Sequence, residues 1–347
     1  MTERLGLLGY DSYHFVVENI ERSRHFYEDV LDFKEVARAS NDLVQRSGQQ
    51  SIVFGAGDAR VCVSTPLTQA SKATRYLKHH PSGVMSLSFR VKSLEHAIQF
   101  LEKRGGTLLA DPFEHKDDRG GSYKSVEIAT PLGEVAFRFI ERNDYKAFAP
   151  GFEDSGISLI PASGAPGNSA KPDNRYGIAG VDHVTSNGLT MQPIIAFYKE
   201  VLGFEPFWEI KFHTQDVNKS LGGSGLKSIV MWDPESEVKF ATNEPLRPAF
   251  RESQIWKFVE DNRGPGVQHI AFGVKDIIST VIDMKKRGVD FMDTPKSYFQ
   301  ALPERLAKLG IHNVKEELAE LERHQVLVDG SQDRYMLQIF MREAAAL

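Results

Sequence analysis

His269 stands beside Gln268 inside "GVQHIAF", residues 266 to 272, a run that otherwise reads as a buried strand. Successive side chains of an extended chain point to opposite faces, so Val267 and His269 share one face and Gln268 and Ile270 the other. A buried imidazole there is either a core histidine satisfied by one hydrogen bond, as buried polar groups usually are, or a group that does chemistry. Chemistry needs a second group brought to the same place. The one cysteine, Cys62 in "RVCVST", could be a nucleophile but reads as a buried structural thiol. The elements that would gather such residues therefore have to be read next.

The chain repeats itself. "YDSYHFVVENIERSRHFYEDVLDFKEV" near the start answers "IAGVDHVTSNGLTMQPIIAFYKEVLGFEPF" in the middle, and "GVMSLSFRVKSLEHAIQFLEKRGG" answers "GVQHIAFGVKDIISTVIDMKKRGV". The first pair sets His14 against His183, Phe26 and Tyr27 against Phe197 and Tyr198, and Leu31 and Phe33 against Leu202 and Phe204. The second sets Ser86 against His269. Leu94, Ala97, Ile98 and Leu101 recur at helical spacing after an N-cap at Ser93, with Gly105 at the far end; Asp276 and Gly288 bracket the matching helix.

Each unit thus opens with a strand, enters a helix and returns through several strand-like runs such as "QSIVFGAGDARVCVST". Four βαβββ modules, two per half, give an α+β protein. One domain is expected over 1–150 and a second over 179–347, joined by the Gly-, Pro- and Ser-rich stretch 151–178. Leu302, Leu306 and Leu309, then Leu318 and Leu321, point to two short helices inserted near 297–325.

Composition narrows the function. A chain of 347 residues with 42 basic and 47 acidic residues, net charge -5, shows no basic stripe to follow a phosphate backbone, so no nucleic-acid partner is expected. No window approaches the apolar length of a membrane span, and the start carries no signal-peptide core. No disulfide framework is available, which fits a reducing, cytoplasmic setting. A homo-oligomer is expected, of a size the sequence does not fix.

The motifs "VDHVTSN", "LKSIVMW", "NEP" at 243 to 245, "SQI" at 253 to 255, "NRGPGVQHIAF", "KRGVDFMDTPKSYF" and "LQIF" resemble the 4-hydroxyphenylpyruvate dioxygenases of the vicinal oxygen chelate superfamily. The resemblance runs over nearly the whole chain and is strongest from Gly180 to Phe340. It implies tandem βαβββ modules curled into two open β-barrel domains of the glyoxalase and bleomycin-resistance type. It further implies an Fe(II) cofactor and an aromatic 2-oxo acid oxidised by O2 to homogentisate and CO2, as in tyrosine catabolism. The first strands of the third and fourth modules would carry His183 and His269 to one cavity as the metal's two neutral ligands, leaving open positions for substrate and O2. In that cavity the resemblance places Ser228, Asn243, Gln254 and Gln268 toward the substrate, with Gln338 and Phe340 completing the wall. Asp182 is read as a surface or turn residue, because alternation points it away from His183. The N-terminal half, with Ser86 where the other has His269, is expected to hold no metal, and His14 to be a packed or rim residue.

One departure stands out. The family's third ligand is a glutamate on the last strand of the fourth module, followed by a covering helix, whereas this sequence reads "RYMLQIFMREAAAL" and stops. Glu343 is too close to Phe340 to take that place, so the last strand is expected to be missing. Two rivals follow from the same fold: a hydroxymandelate synthase acting on the same substrate, from which Asn243 in "NEP" leans away, and a non-catalytic binding protein.

Overall fold

The computed structural model describes residues 3–156, 174–213, 224–331 and 334–342. In the first half the strands are β1 (Leu7–Val16), β2 (Lys34–Ala39), β3 (Gln49–Ala56), β4 (Ala59–Pro66), β5 (Gly83–Val91), β6 (Phe113–Lys116), β7 (Ser122–Ile128), β8 (Ala136–Asn143) and β9 (Phe152–Asp154). They lie in one sheet in the order β6, β7, β8, β5, β1, β4, β3, β2, β9. Each opening strand runs parallel to the last strand of its own module, β1 to β4 and β5 to β8, and the two modules meet through the antiparallel pair of β1 and β5.

The second half repeats the plan with β10 (Gly180–Asn187), β11 (Glu205–His213), β12 (Gly225–Trp232), β13 (Lys239–Leu246) and β14 (Gly266–Gly273), ordered β11, β12, β13, β10, β14. Here β14 takes the position of β5. The strands that follow, β15 (Leu327–Ser331) and β16 (Arg334–Gln338), pair only with each other among the described residues, so nothing described occupies the place beside β14 that β8 fills beside β5.

The helices form where the spacing predicts. Ser93 accepts a hydrogen bond from the N–H of His96 and caps Leu94–Lys103; Asp276 accepts from Ser279 and caps Ile277–Lys286. The matching Phe-Tyr pairs fall in two π-helical turns, His25–Val30 and Phe197–Val201, which bury Tyr27 and Tyr198 alike. The insertion is two helices, Lys296–Lys308 and Leu318–His324, around a small core of Phe299, Leu302, Leu306, Ile311 and Leu321. Leu309, expected in that stripe, follows the first helix and is exposed.

Two expectations need correction. The stretch 151–178 is not irregular throughout: Phe152–Asp154 adds a ninth strand against β2, and Asn174 donates to the carbonyls of Leu31 and Asp32. The first half therefore extends past residue 150.

The second correction concerns the repeat. On the β1 and β5 ladder Ser12 faces Ser88 and His14 faces Ser86, while on the β10 and β14 ladder His183 faces Ala271 and Thr185 faces His269. Ser86 and His269 correspond, so His14 answers Thr185, and His183 answers Ser12. The sequence alignment slipped by two residues, which preserves facing and so leaves the hydrophobic pattern unchanged. The N-terminal half carries neither imidazole of the pair. His14 is packed as expected, its Nε2 2.6 Å from Ser64 Oγ, and Cys62 is buried, which pushes its thiol up to about 12.

Candidate functional site

Side chains directly opposite each other across a ladder share a face, as do residues two apart on one strand. Ala271 is opposite His183 and two residues from His269, so both imidazoles lie on one face of the sheet, diagonally related. Their ring centroids are 5.8 Å apart with the planes at 75°. Phe340 sets its ring edge-on to His269 at 5.3 Å. It is held there by backbone bonds: the N–H of Met292 donates to the Phe340 carbonyl at 2.8 Å, and that of Arg342 to Asp290 at 2.9 Å.

Both histidines follow a β-bulge. The register skips Asp182 between Val181 and His183, and on the partner strand it skips Gln268 between Val267 and His269. A bulge residue has no partner across the ladder and leaves the regular alternation. Asp182 therefore does not point away from its neighbour as expected. Its Oδ2 accepts from His183 Nδ1 at 2.8 Å, and its Oδ1 accepts from Lys239 Nζ at 3.1 Å. The bond to His183, joined by the Lys239 charge, lowers the carboxyl to about 2. Gln268, exposed, likewise turns its Oε1 to His269 Nδ1.

Among the described residues neither Nε2 is engaged in a hydrogen bond. Burial, with a smaller effect from His183, holds the proton affinity of His269 down to about 3, so this imidazole is neutral at ordinary pH. Two imidazoles on one face, with neither Nε2 engaged in a hydrogen bond among the described residues, suit adjacent positions around a metal ion. Among the described residues no set of three or more His, Cys, Asp and Glu is grouped to hold one. Glu343 lies outside the described residues.

Of the expected substrate groups, two fall on the same face as the histidines. Asn187 is four residues along β10 from His183, Asn243 is opposite Asn187 on β13, and Ser228 is opposite Asn243 on β12. Asn243 Nδ2 donates to Asn187 Oδ1 at 3.1 Å, and Ser228 is buried. Asn187, 3 % exposed, belongs to this polar row although sequence reasoning passed over it; its even spacing from His183 within "VDHVTSN" was the available signal. Gln254 is the exposed first residue of the helix Gln254–Asp261, and Gln338 ends β16 half-buried; no hydrogen bond joins either side chain to the pair.

Comparisons with known proteins bear on the fold and the family. The profile of the Glyoxalase/Bleomycin resistance protein/Dioxygenase superfamily matches residues 9–139 and 180–302. A 4-hydroxyphenylpyruvate dioxygenase of Dictyostelium discoideum is 31% identical over 336 residues, 96% of this chain and 87% of the relative. The enzyme of that name from Tetrahymena thermophila is 33% identical, over 96% of this chain and 81% of its own length. Among solved structures, a mutant of 4-hydroxymandelate synthase from Streptomyces coelicolor superimposes with a TM-score of 0.75 at 21% identity, covering 98% of this chain and 89% of that one, which establishes the fold. A dioxygenase of this superfamily works with a metal cofactor, and no described helix is long and apolar enough to cross a membrane. The shared modules and the matches over nearly its full length show that the chain belongs to the 4-hydroxyphenylpyruvate dioxygenase family.

Proposed function

We propose that the chain converts 4-hydroxyphenylpyruvate and O2 to homogentisate and CO2, with Fe(II) as the metal and His183 and His269 as two of its ligands. The observation that carries this reading is the pair itself: two imidazoles from different modules, on one face, each with Nδ1 already satisfied and Nε2 free among the described residues. Ferrous iron, when bound, supplies the redox chemistry of dioxygen and sites for the carboxylate and keto oxygens of a 2-oxo acid.

The protein's own work is binding and orientation. A neutral His269 keeps its lone pair for the ion without a competing proton, which matters because metal binding to a protonated ligand must first displace it. The row of Asn187, Asn243 and Ser228 offers both donors and acceptors, as a phenol hydroxyl or a carboxylate requires. Phe340, fixed by its backbone bonds beside His269, gives the aromatic ring of the substrate a side chain to pack against. We place Gln338 on the same wall and Gln254 at the rim, and keep Gln268 for His269.

Incubation with Fe(II), ascorbate, O2 and 4-hydroxyphenylpyruvate, followed by separation of products, tests the reading. Homogentisate is expected. 4-Hydroxymandelate would assign the chain to oxidation at the benzylic carbon instead, and unconsumed substrate with no oxygen uptake would contradict both.

A further inference from the structure

We infer that Asp182 and Gln268 are a matched pair of positioning residues: each is the extra residue of a β-bulge, each stands one position before a histidine, and each hydrogen-bonds that histidine's Nδ1. The inference rests on His183 and His269 being metal ligands, and it moves Gln268 from a substrate-facing role to the support of His269.

The bulges come first in the argument because they are independent of the histidines. In the N-terminal half the ladder skips Asp11 between Tyr10 and Ser12, and Met85 lies between the paired residues Ser86 and Val84 where the register shifts. These are the positions of Asp182 and Gln268 in the repeat. The fold therefore builds both bulges even where no imidazole follows. It also keeps an acid and a base: Asp11 lies 3.8 Å from Arg60, as Asp182 lies 3.1 Å from Lys239. In the second half a histidine follows each of these bulges, and the displaced side chain reaches the ring of its neighbour.

The consequence is chemical. A carboxylate can only accept, and so can the carbonyl oxygen of an amide. Nδ1 of each ring must carry the proton, and Nε2 must present the lone pair. A ligand histidine fixed in this way is oriented and made more basic, and loss of such a partner typically weakens metal binding 10- to 100-fold. Asp182 is itself restrained, since its other oxygen is held by Lys239, whose backbone is gripped from the N-terminal half: Tyr10 OH donates to the Lys239 carbonyl at 2.6 Å and accepts from its N–H at 3.2 Å. Tyr10 thus links the half without imidazoles to the half that has them.

The test uses the full chain. Nitrogen NMR of the metal-free protein reads the tautomer of each ring, and Co(II) titration reads affinity. Wild type should show Nδ1–H on both rings. Asp182→Ala should lose that state at His183 and Gln268→Ala at His269, each weakening Co(II) binding about 10- to 100-fold. Asp182→Asn and Gln268→Glu, which keep an acceptor oxygen, should restore the tautomer. Unchanged tautomers and Co(II) affinity in the alanine variants would overturn the inference, as would a Gln268→Ala protein whose only change is a raised KM. Should wild type bind no Co(II), the metal reading fails, while the tautomers of the metal-free rings still decide this one.

Discussion

Buried neutral imidazoles make the molecule sensitive to acid. His14 and His269 are both held to about 3, chiefly by burial, while an unfolded chain protonates histidine near its ordinary value of about 6.5. Below that pH the unfolded state takes up protons that the folded state excludes. Their contribution is complete above about pH 6.5, declines as pH falls toward about 3, and is lost below it. Replacing His14 by glutamine, whose amide can still reach Ser64, removes one of these groups without touching the His183 and His269 pair. Denaturation midpoints of His14→Gln measured between pH 7 and 4 should fall less steeply than those of wild type; parallel curves would contradict the assignment. At this scale His269 was legible because an apolar strand with a polar pair invites explanation. Asp182 was not, since strict alternation is the only rule a sequence offers and a bulge suspends it.

The strands that carry the site depend on how the halves are joined at β10. Gly57 has φ +55, and a Cβ there would lie 2.2 Å from the carbonyl oxygen of Ile178 and 2.7 Å from that of Ala179. Next to it, the N–H of Asp58 donates to Ala179 at 2.8 Å, just before β10 begins. Gly57→Ala combines an unfavourable backbone angle with a backbone clash, so a loss of about 2 kcal/mol or more is expected from urea titration, together with weaker metal binding. A change within about 0.5 kcal/mol would show that the approach is not tight. The four modules, their capped helices and the inserted pair of helices were readable, because repeats, Ser and Asp caps and leucine spacing are local signals. The two-residue slip of His14 onto His183 was not avoidable that way: both registers put the same residues on the same faces, and only the ladder to β5 and β14 tells them apart. The third ligand stayed equally out of reach, since among the described residues no carboxylate completes a group of three with the two histidines.

Across the whole molecule one hydrophobic core runs through both halves. Its centre is a group of rings in which Phe240 of β13 stacks on Phe137 of β8 at 5.4 Å and on Tyr198 at 4.7 Å, with Phe89 edge-on at 5.9 Å. Phe240 faces away from the site, next in sequence to Lys239, so this packing fixes the strand that restrains Asp182. Phe240→Ala should cost about 3–5 kcal/mol and lower the temperature of unfolding; a cost under about 1 kcal/mol would mean that the halves do not rely on it. The central claim, that two histidines from two modules hold the iron of a dioxygenase, is tested most directly by oxygen uptake. With Fe(II) and 4-hydroxyphenylpyruvate, wild type should consume one O2 for each homogentisate formed, and His183→Ala and His269→Ala should retain no iron and consume none. Full iron content and undiminished uptake in either variant would contradict it.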